Sequence, residues 1–355
     1  MTARRVVAFG GGHGLSASLR ALRHCAPELD LDITAVVTVG DDGGSSGRLR
    51  AERGGLPPGD LRQALVALAG DHPATRRSAG LFQHRFAAVP VGVPRSGATD
   101  PAPAAGDDPD RVGAAPSGTD GASAGADGLA GHAVGNLVLC GLMELLGDPV
   151  AALEHAGAML GTVGRVLPMS RQPVGIEAQV RGVDPAAPDE LRTVRGQHQV
   201  AVTTGRVESL RLTPAAPAAC AEAIEAIMAA DWLIFGPGSW YTSVLPHLLV
   251  PQLADAIVST SARRLVTLNL AAEKETLGLS AADHLAALHW YLAELKVDLV
   301  LADALAVGDP EPVERAAESL GARLVLAPVA VTDGTPRHDP AALGAALVPV
   351  LGADR

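Results

Sequence analysis

Lysine is nearly missing from this chain: among 28 basic residues, only Lys274 and Lys296 are not arginine. No Gly-x-x-x-x-Gly-Lys-Ser/Thr run exists, so a Walker-type phosphate loop is excluded. Schiff-base chemistry would rest on one of two side chains. Aromatic residues make up 3%, too few for a surface of base-stacking platforms. Basic residues are outnumbered by 39 acidic ones, and the net charge of −11 excludes a protein that coats duplex nucleic acid by neutralising its phosphates. The three cysteines, Cys25, Cys140 and Cys220, form no Cys-x-x-Cys pair. That rules out a disulfide framework and a cysteine-based zinc site; each cysteine lies in an apolar helical pattern and reads as packing. No window approaches 18 uninterrupted apolar residues, and Met1–Phe9 runs into a strand without an apolar signal stretch. A cytoplasmic protein with no nucleic-acid and no membrane partner is expected.

Apolar residues are plentiful at 48% of 355, enough for a large core in one α/β domain spanning 1–355. Residues 91–128 contain no Leu, Ile, Met or aromatic. Such a tract buries too little apolar surface to offset its ordering entropy and reads as a disordered insertion. Elsewhere short apolar runs alternate with helical periodicity. Strands are expected at Arg5–Phe9, Asp32–Val39, Trp232–Phe235, Arg264–Asn269 and Val297–Ala302. Helices are expected around Leu61–Ala69 (with Asp60 as N-cap), Ala215–Ala229, Ser239–Pro246, Ala281–Leu292 and Glu311–Leu320. This alternation implies a mostly parallel sheet with helices on both faces. Between 162 and 213 the pattern changes: Val163–Pro168, Val174–Arg181, Gln197–Thr203 and Arg206–Leu212 read as short strands of an antiparallel or mixed β segment.

Four glycine-rich motifs sit where chemistry is expected in such a sheet. Gly10-Gly11-Gly12-His13-Gly14 follows a strand and opens a helix, so its backbone amides and the helix N-terminus can receive an anion. Gly12, Gly14 and Ala17 also fit the dinucleotide fingerprint Gly-x-Gly-x-x-Ala. Gly40-Asp41-Asp42-Gly43-Gly44-Ser45-Ser46-Gly47 ends the second strand. Its amides and hydroxyls suit phosphoryl oxygens, and Asp41 and Asp42 could hold Mg2+ or a ribose. Gly131-His132-Ala133-Val134-Gly135-Asn136 opens a helix, and Asn136 could read a base edge or an amide. Gly236-Pro237-Gly238-Ser239 repeats the strand–turn–helix plan, with Ser239 as N-cap. Glycine loops from parallel strands should gather at one sheet edge, where open α/β sheets bind ligands.

Together, the runs GGGHGLS, TVGDDGGSSGRLR, LPPGDLRQALVALA, LFQHRF, GHAVGNLVL, FGPGSWYTSVLPHLLVP and the late Arg337-His338-Asp339 resemble the bacterial gluconeogenesis-factor, or morphogenesis, family. That family is related to 2-phospho-L-lactate transferase, and the likeness covers the chain outside 91–128. The resemblance implies a Rossmann-like core and binding of a UDP-sugar of the UDP-N-acetylglucosamine type. It also implies a regulatory role in cell-wall precursor supply, gluconeogenic growth and cell shape, with regulatory protein partners and a homo-oligomer as expectations. By position, Gly11, Gly12, His13, Gly14, Asp41, Asp42, Gly44, Ser45, Ser46, Asn136, Gly236, Gly238, Ser239, Asn269, Arg337 and His338 should line the ligand cleft. No required cofactor is implied. His13 stands where many relatives have Thr, and the run from Asn269 to Thr276 replaces, in a loop one residue shorter, a stretch that in relatives carries Gln-Pro-Gly before Glu-Thr. Two other functions remain open: a transferase whose Asp41 or Asp42 holds Mg2+, and an NAD-dependent oxidoreductase resting on the dinucleotide fingerprint alone.

Overall fold

The computed structural model describes residues 3–88 and 128–353, so the 91–128 tract lies outside the described residues except for Gly128. The first half runs β1 (Arg4–Gly10), α1 (Gly12–Cys25), β2 (Leu31–Val37), α2 (Gly44–Arg53), α3 (Pro58–Ala67), α4 (Pro73–Gln83), α5 (Val134–Leu146), α6 (Pro149–Leu160) and β3 (Arg165–Pro168). It continues through β4 (Gly175–Arg181), β5 (Leu191–Arg195), α7 (Gln197–Ala201), β6 (Arg206–Thr213), α8 (Ala221–Ala229) and β7 (Trp232–Phe235). The last part holds α9 (Pro251–Ser259), β8 (Arg263–Thr267), α10 (Ala281–Tyr291), β9 (Leu299–Asp303), α11 (Ala304–Val307), α12 (Glu311–Ser319), β10 (Arg323–Ala327) and α13 (Pro340–Gly352).

Seven parallel strands form the main sheet in the order β3-β2-β1-β7-β8-β9-β10, with helices on both faces: a Rossmann-like α/β fold. Strand order reverses direction between β1 and β7, which makes that junction the topological switch point. Register brings the loops level, because Phe9 pairs with Phe235 and Gly10 with Val37. The central strands are sealed on both sides, as parallel strands between helical layers must be. Phe9 and Phe235 stack with centroids 4.7 Å apart, and His247 meets Phe9 edge-on. Burial pushes the His247 imidazole down to about 4, and its Nε2 lies 3.0 Å from the Val36 carbonyl oxygen.

A separate antiparallel sheet, β5-β4-β6, occupies the 162–213 region, and three local expectations change there and beside it. Val163–Pro168 supplies β3, an edge of the main sheet. Gln197–Thr203 is not a strand: Gly196 takes φ of 96° and Gln197–Ala201 coils into α7. The third strand is β5, which is exposed along nearly all its length and so carries no hydrophobic alternation. Downstream, the expected helix after Ser239 begins as a π-helical turn over Trp240–Val244 and tightens to 3-10 geometry over Leu245–Leu249. Of the cysteines, Cys25 and Cys220 are buried and Cys140 is partly buried.

Helix α13 lies against α1, with Gly344 fitted over Ala21 and His24. Its first turn is capped by Asp339, whose Oδ1 accepts from Ala341 N at 2.8 Å and Ala342 N at 2.9 Å. Asp339→Ala is expected to cost about 1 kcal/mol, read as a lower urea midpoint at constant m-value.

Candidate functional site

The switch point brings the first and last glycine motifs into contact. Gly11 ends the strand side and Gly12 begins α1 with φ of 55°. A Cβ on Gly14 would lie 2.3 Å from the Pro237 carbonyl oxygen and 2.4 Å from Gly238 Cα, so the two backbones touch where only glycine fits. Gly236 and Gly238 are themselves buried, and both have positive φ. Asn269 closes that loop from β8: its Oδ1 accepts from Gly238 N at 2.8 Å and its Nδ2 donates to Gly238 O at 2.9 Å. His13 is exposed in the first turn of α1.

The second motif brings its residues to the same rim but divides their roles. Asp41 Oδ1 accepts from Gly43 N at 3.0 Å. Asp42 turns away, and its Oδ1 accepts from His198 N of α7 at 2.8 Å. The carboxylate beside Asp41 is instead Asp60. That residue does not cap α3, whose N-cap is Pro57. It is buried in the first turn, accepts from Thr38 Oγ1 at 3.1 Å and from Gly12 N, and is pushed up to about 7 by burial and by the neighbouring Asp41. Gly44 opens α2 at φ of 47°, followed by the buried Ser45 and Ser46. Asn136 reaches across from α5, where Nδ2 donates to Ser45 Oγ at 3.0 Å, and Ser45 Oγ lies 3.0 Å from His132 Nδ1.

On the β7–β8 side, Ser239 makes no cap hydrogen bond. Its hydroxyl pairs with Thr242 and donates to Glu275 Oε1, which also accepts from Tyr241 N at 2.9 Å. Burial pushes Glu275 up to about 7. Further out, Arg337 donates to Asp333 Oδ2 at 2.8 Å and to Thr335 Oγ1 at 3.0 Å. His338 packs against the backbone of Leu268, one residue from Asn269, and burial pushes it down to about 4.

Helices α1, α2, α3 and α5 all start around this rim, and none has a side-chain N-cap. Gly12 N of α1 is already spent on Asp60 and Val134 N of α5 on the His84 carbonyl oxygen, so what these ends share is the positive end of the helix rather than a full set of free amides. Among the described residues, six buried side-chain polar atoms have no hydrogen-bond partner: Arg62 Nη1, Gln197 Oε1, Trp240 Nε1, Glu275 Oε2, His284 Nε2 and His338 Nε2. All six come from segments bordering these loops. Arg62 and Gln197 neighbour Asp60, His284 meets Trp240 edge-on at 5.1 Å, and His338 adjoins the end of β8. Native interiors leave few such groups unmet, and here they are concentrated where a polar ligand would lie. Asp60, Arg62, His132 and Gln197 are the residues that sequence reasoning missed. Only the Pro-Pro-Gly-Asp turn and the Gly-His-Ala-Val-Gly-Asn run signalled their neighbourhood.

Comparisons with known proteins agree on the relationship. A family model described as 2-phospho-L-lactate transferase CofD matches residues 6–324. A Mycobacterium tuberculosis protein, provisionally named a gluconeogenesis factor, is 45% identical over 353 residues, covering 98% of this chain and 91% of its own. The gluconeogenesis factor of Bacillus subtilis is 34% identical over 322 residues, covering 90% of this chain and 84% of its own. A crystal structure of a UPF0052-family protein from Bacillus halodurans superposes with a TM-score of 0.75 at 31% identity, covering 98% of this chain and 99% of that one. Among the described residues no helix is long and apolar enough to cross a membrane.

Proposed function

The chain belongs to the 2-phospho-L-lactate transferase CofD family, and from that premise we propose that its cleft binds a nucleoside diphosphate sugar of the UDP-N-acetylglucosamine type. The observation that carries the reading is the contact of Gly14 with Pro237 and Gly238 at the switch point. Two glycine turns there bring main chain to one volume at the positive end of α1, where Asp60 holds Gly12 N and Asn269 holds Gly238 N. The side chains around them are largely spent on one another: Asn136 on Ser45, Asn269 on Gly238 and Asp42 on His198. A cleft organised in this way holds a ligand through backbone amides and suits recognition better than turnover. The protein then acts as a cytoplasmic regulatory factor for cell-wall precursor supply, gluconeogenic growth and cell shape, signalling occupancy to protein partners as a homo-oligomer. Calorimetric titration with UDP-N-acetylglucosamine, UDP, GDP and NAD tests this. Saturable binding of the uridine nucleotides in preference to GDP and NAD is expected; no heat from any uridine nucleotide overturns the reading.

One observation favours a second reading, a Mg2+-dependent transferase. The expected pair Asp41 and Asp42 does not converge, because Asp42 is tied to α7. Asp41 and Asp60 do lie together, as the upward push of one carboxylate on the other indicates. Hard oxygen donors of this kind fit Mg2+ completed by phosphate oxygens, although the described residues hold no cluster of three or more His, Cys, Asp or Glu suited to a metal. Asp41 and Asp60 would hold the ion, which when bound would neutralise charge on a diphosphate leaving group.

A further inference from the structure

Arg62 is the buried cation of the cleft, 3% exposed, and only part of its guanidinium is satisfied. Nε donates to Asn136 Oδ1 at 2.8 Å, and Asn136 is held in turn by Ser45, which faces His132. That chain fixes the plane of the guanidinium and leaves Nη1 for another group. Nη1 is sealed from solvent with no partner. An unmet donor inside a protein costs on the order of 1–3 kcal/mol, more for a charged group, so an acceptor is due at this position.

The surroundings specify what kind of acceptor. Asp41 and Asp60 lie near enough to steady the charge, yet neither bonds Nη1, and Asp60 is committed to Thr38 and Gly12. Arg85 lies near enough to oppose that charge, and with Arg48 it donates to the carbonyls of Gly131 and Ala130. Helix α5 begins at this corner without a side-chain cap. Its Gly135 makes room for the arginine stem, since a Cβ there would lie 2.8 Å from Arg62 Cδ. Burial and Arg85 lower the guanidinium to about 10, so it remains charged at neutral pH. An anchored guanidinium with an unmet Nη1 beside a second cation pairs with an anionic oxygen acceptor, carboxylate or phosphate.

We propose that Arg62 pairs with an acid group carried on the sugar of the bound nucleotide, so that the cleft prefers nucleoside diphosphate sugars bearing a carboxylate to neutral ones. The proposal rests on the nucleotide-sugar reading of the site and narrows its substrate class. The diphosphate would lie at the glycine turns and the acid at Arg62, with Asp60, bonded to Gly12 N, between the two. Lysine is a poor substitute, because one ammonium cannot hold Asn136 and also present a donor in the fixed plane of a guanidinium.

The test is calorimetric titration of the full chain with two matched sets. UDP-glucuronic acid is compared with UDP-glucose, and UDP-N-acetylmuramic acid with UDP-N-acetylglucosamine. The wild type should bind at least one acid-bearing ligand about tenfold more tightly than its neutral counterpart, the size expected of a charge-assisted pair. In Arg62→Gln, and to a lesser degree in Arg62→Lys, that ratio should fall towards one; thermal unfolding verifies that each variant is folded. Equal wild-type affinity within both sets overturns the proposal while leaving the nucleotide-sugar reading intact, and needs no variant to fold. Inorganic phosphate that abolishes the preference at concentrations too low to displace the neutral ligand would mean a separate anion occupies the corner, and also overturns it. No binding of any uridine nucleotide overturns both readings together.

Discussion

Gly14→Val should reduce uridine-nucleotide affinity by about two orders of magnitude, the penalty typical of a misplacement near 1 Å in a positioned site. It should also destabilise the fold by roughly 2–3 kcal/mol through overpacking, or about 4–8 °C in thermal midpoint. The first atom of any side chain at this position meets the Pro237 carbonyl oxygen at 2.3 Å and Gly238 Cα at 2.4 Å. Both are backbone, so no rotamer change relieves the clash. Nor can the two loops drift apart cheaply: they leave adjacent paired strands, with Val6 opposite Trp232 and Phe9 opposite Phe235, and the stacked phenylalanines lock that pair from within. The valine must therefore push the Gly-Pro-Gly turn away from α1, breaking the apposition of the two turns on which diphosphate binding depends. Gly141→Ala is the matched control, since a Cβ there meets nothing within 4 Å. Wild-type-like titration curves for Gly14→Val would show that the junction of the two turns is not where the nucleotide is held.

The glycine turns could be found in the sequence because each is local: a β-branched run, a glycine cluster, then helical spacing. That they gather at one sheet edge follows from the alternation of strands and helices, but which two turns touch does not. Nothing near Phe9 or Phe235 states that β1 pairs with β7, and the strand order that creates the switch point is a property of the whole sheet. Asp42 illustrates the same limit. Beside Asp41 in a glycine-rich loop it reads as a ligand, yet its partner is the amide of His198, 156 residues away. Asp60 reads as a helix cap because acidic residues favour that position, but Pro57 occupies it and the carboxyl is drawn beneath Gly12 instead. Strand β5 carried no signal because most of its side chains face solvent. Arg62, Gln197 and Glu275 gain meaning only from what surrounds them: an unmet polar atom is defined by burial, which a sequence does not display.

Two of these buried acids make the protein sensitive to pH in a predictable direction. Asp60 and Glu275 are both raised to about 7 in the folded chain, against ordinary carboxyl values near 4. Folding thus favours their protonated forms. Their contribution to stability is complete below about pH 4 and is lost as pH rises through 7. His247 and His338, lowered to about 4 by burial, act in the opposite sense: their contribution is complete above about pH 6.5 and is lost as pH falls towards 4. The two sets offset each other, and unfolded histidines still lose protons just above pH 6.5, so the acids are isolated by difference, comparing the wild type with a variant that lacks them over pH 6.5 to 8. Across that interval the acids should cost the wild type roughly 1.5 kcal/mol between them, and the double variant Asp60→Asn/Glu275→Gln should lack this slope in urea unfolding. Ligand affinity follows the same proton. A diphosphate arriving at Gly12 lies next to Asp60 and is repelled less when that carboxyl is neutral, so UDP-N-acetylglucosamine should bind more weakly at pH 8 than at pH 6, by up to about tenfold for one linked proton. Asp60→Asn should flatten the profile. An Asp60→Asn profile as steep as the wild type's would assign the linked proton to another group and remove Asp60 from the binding equilibrium.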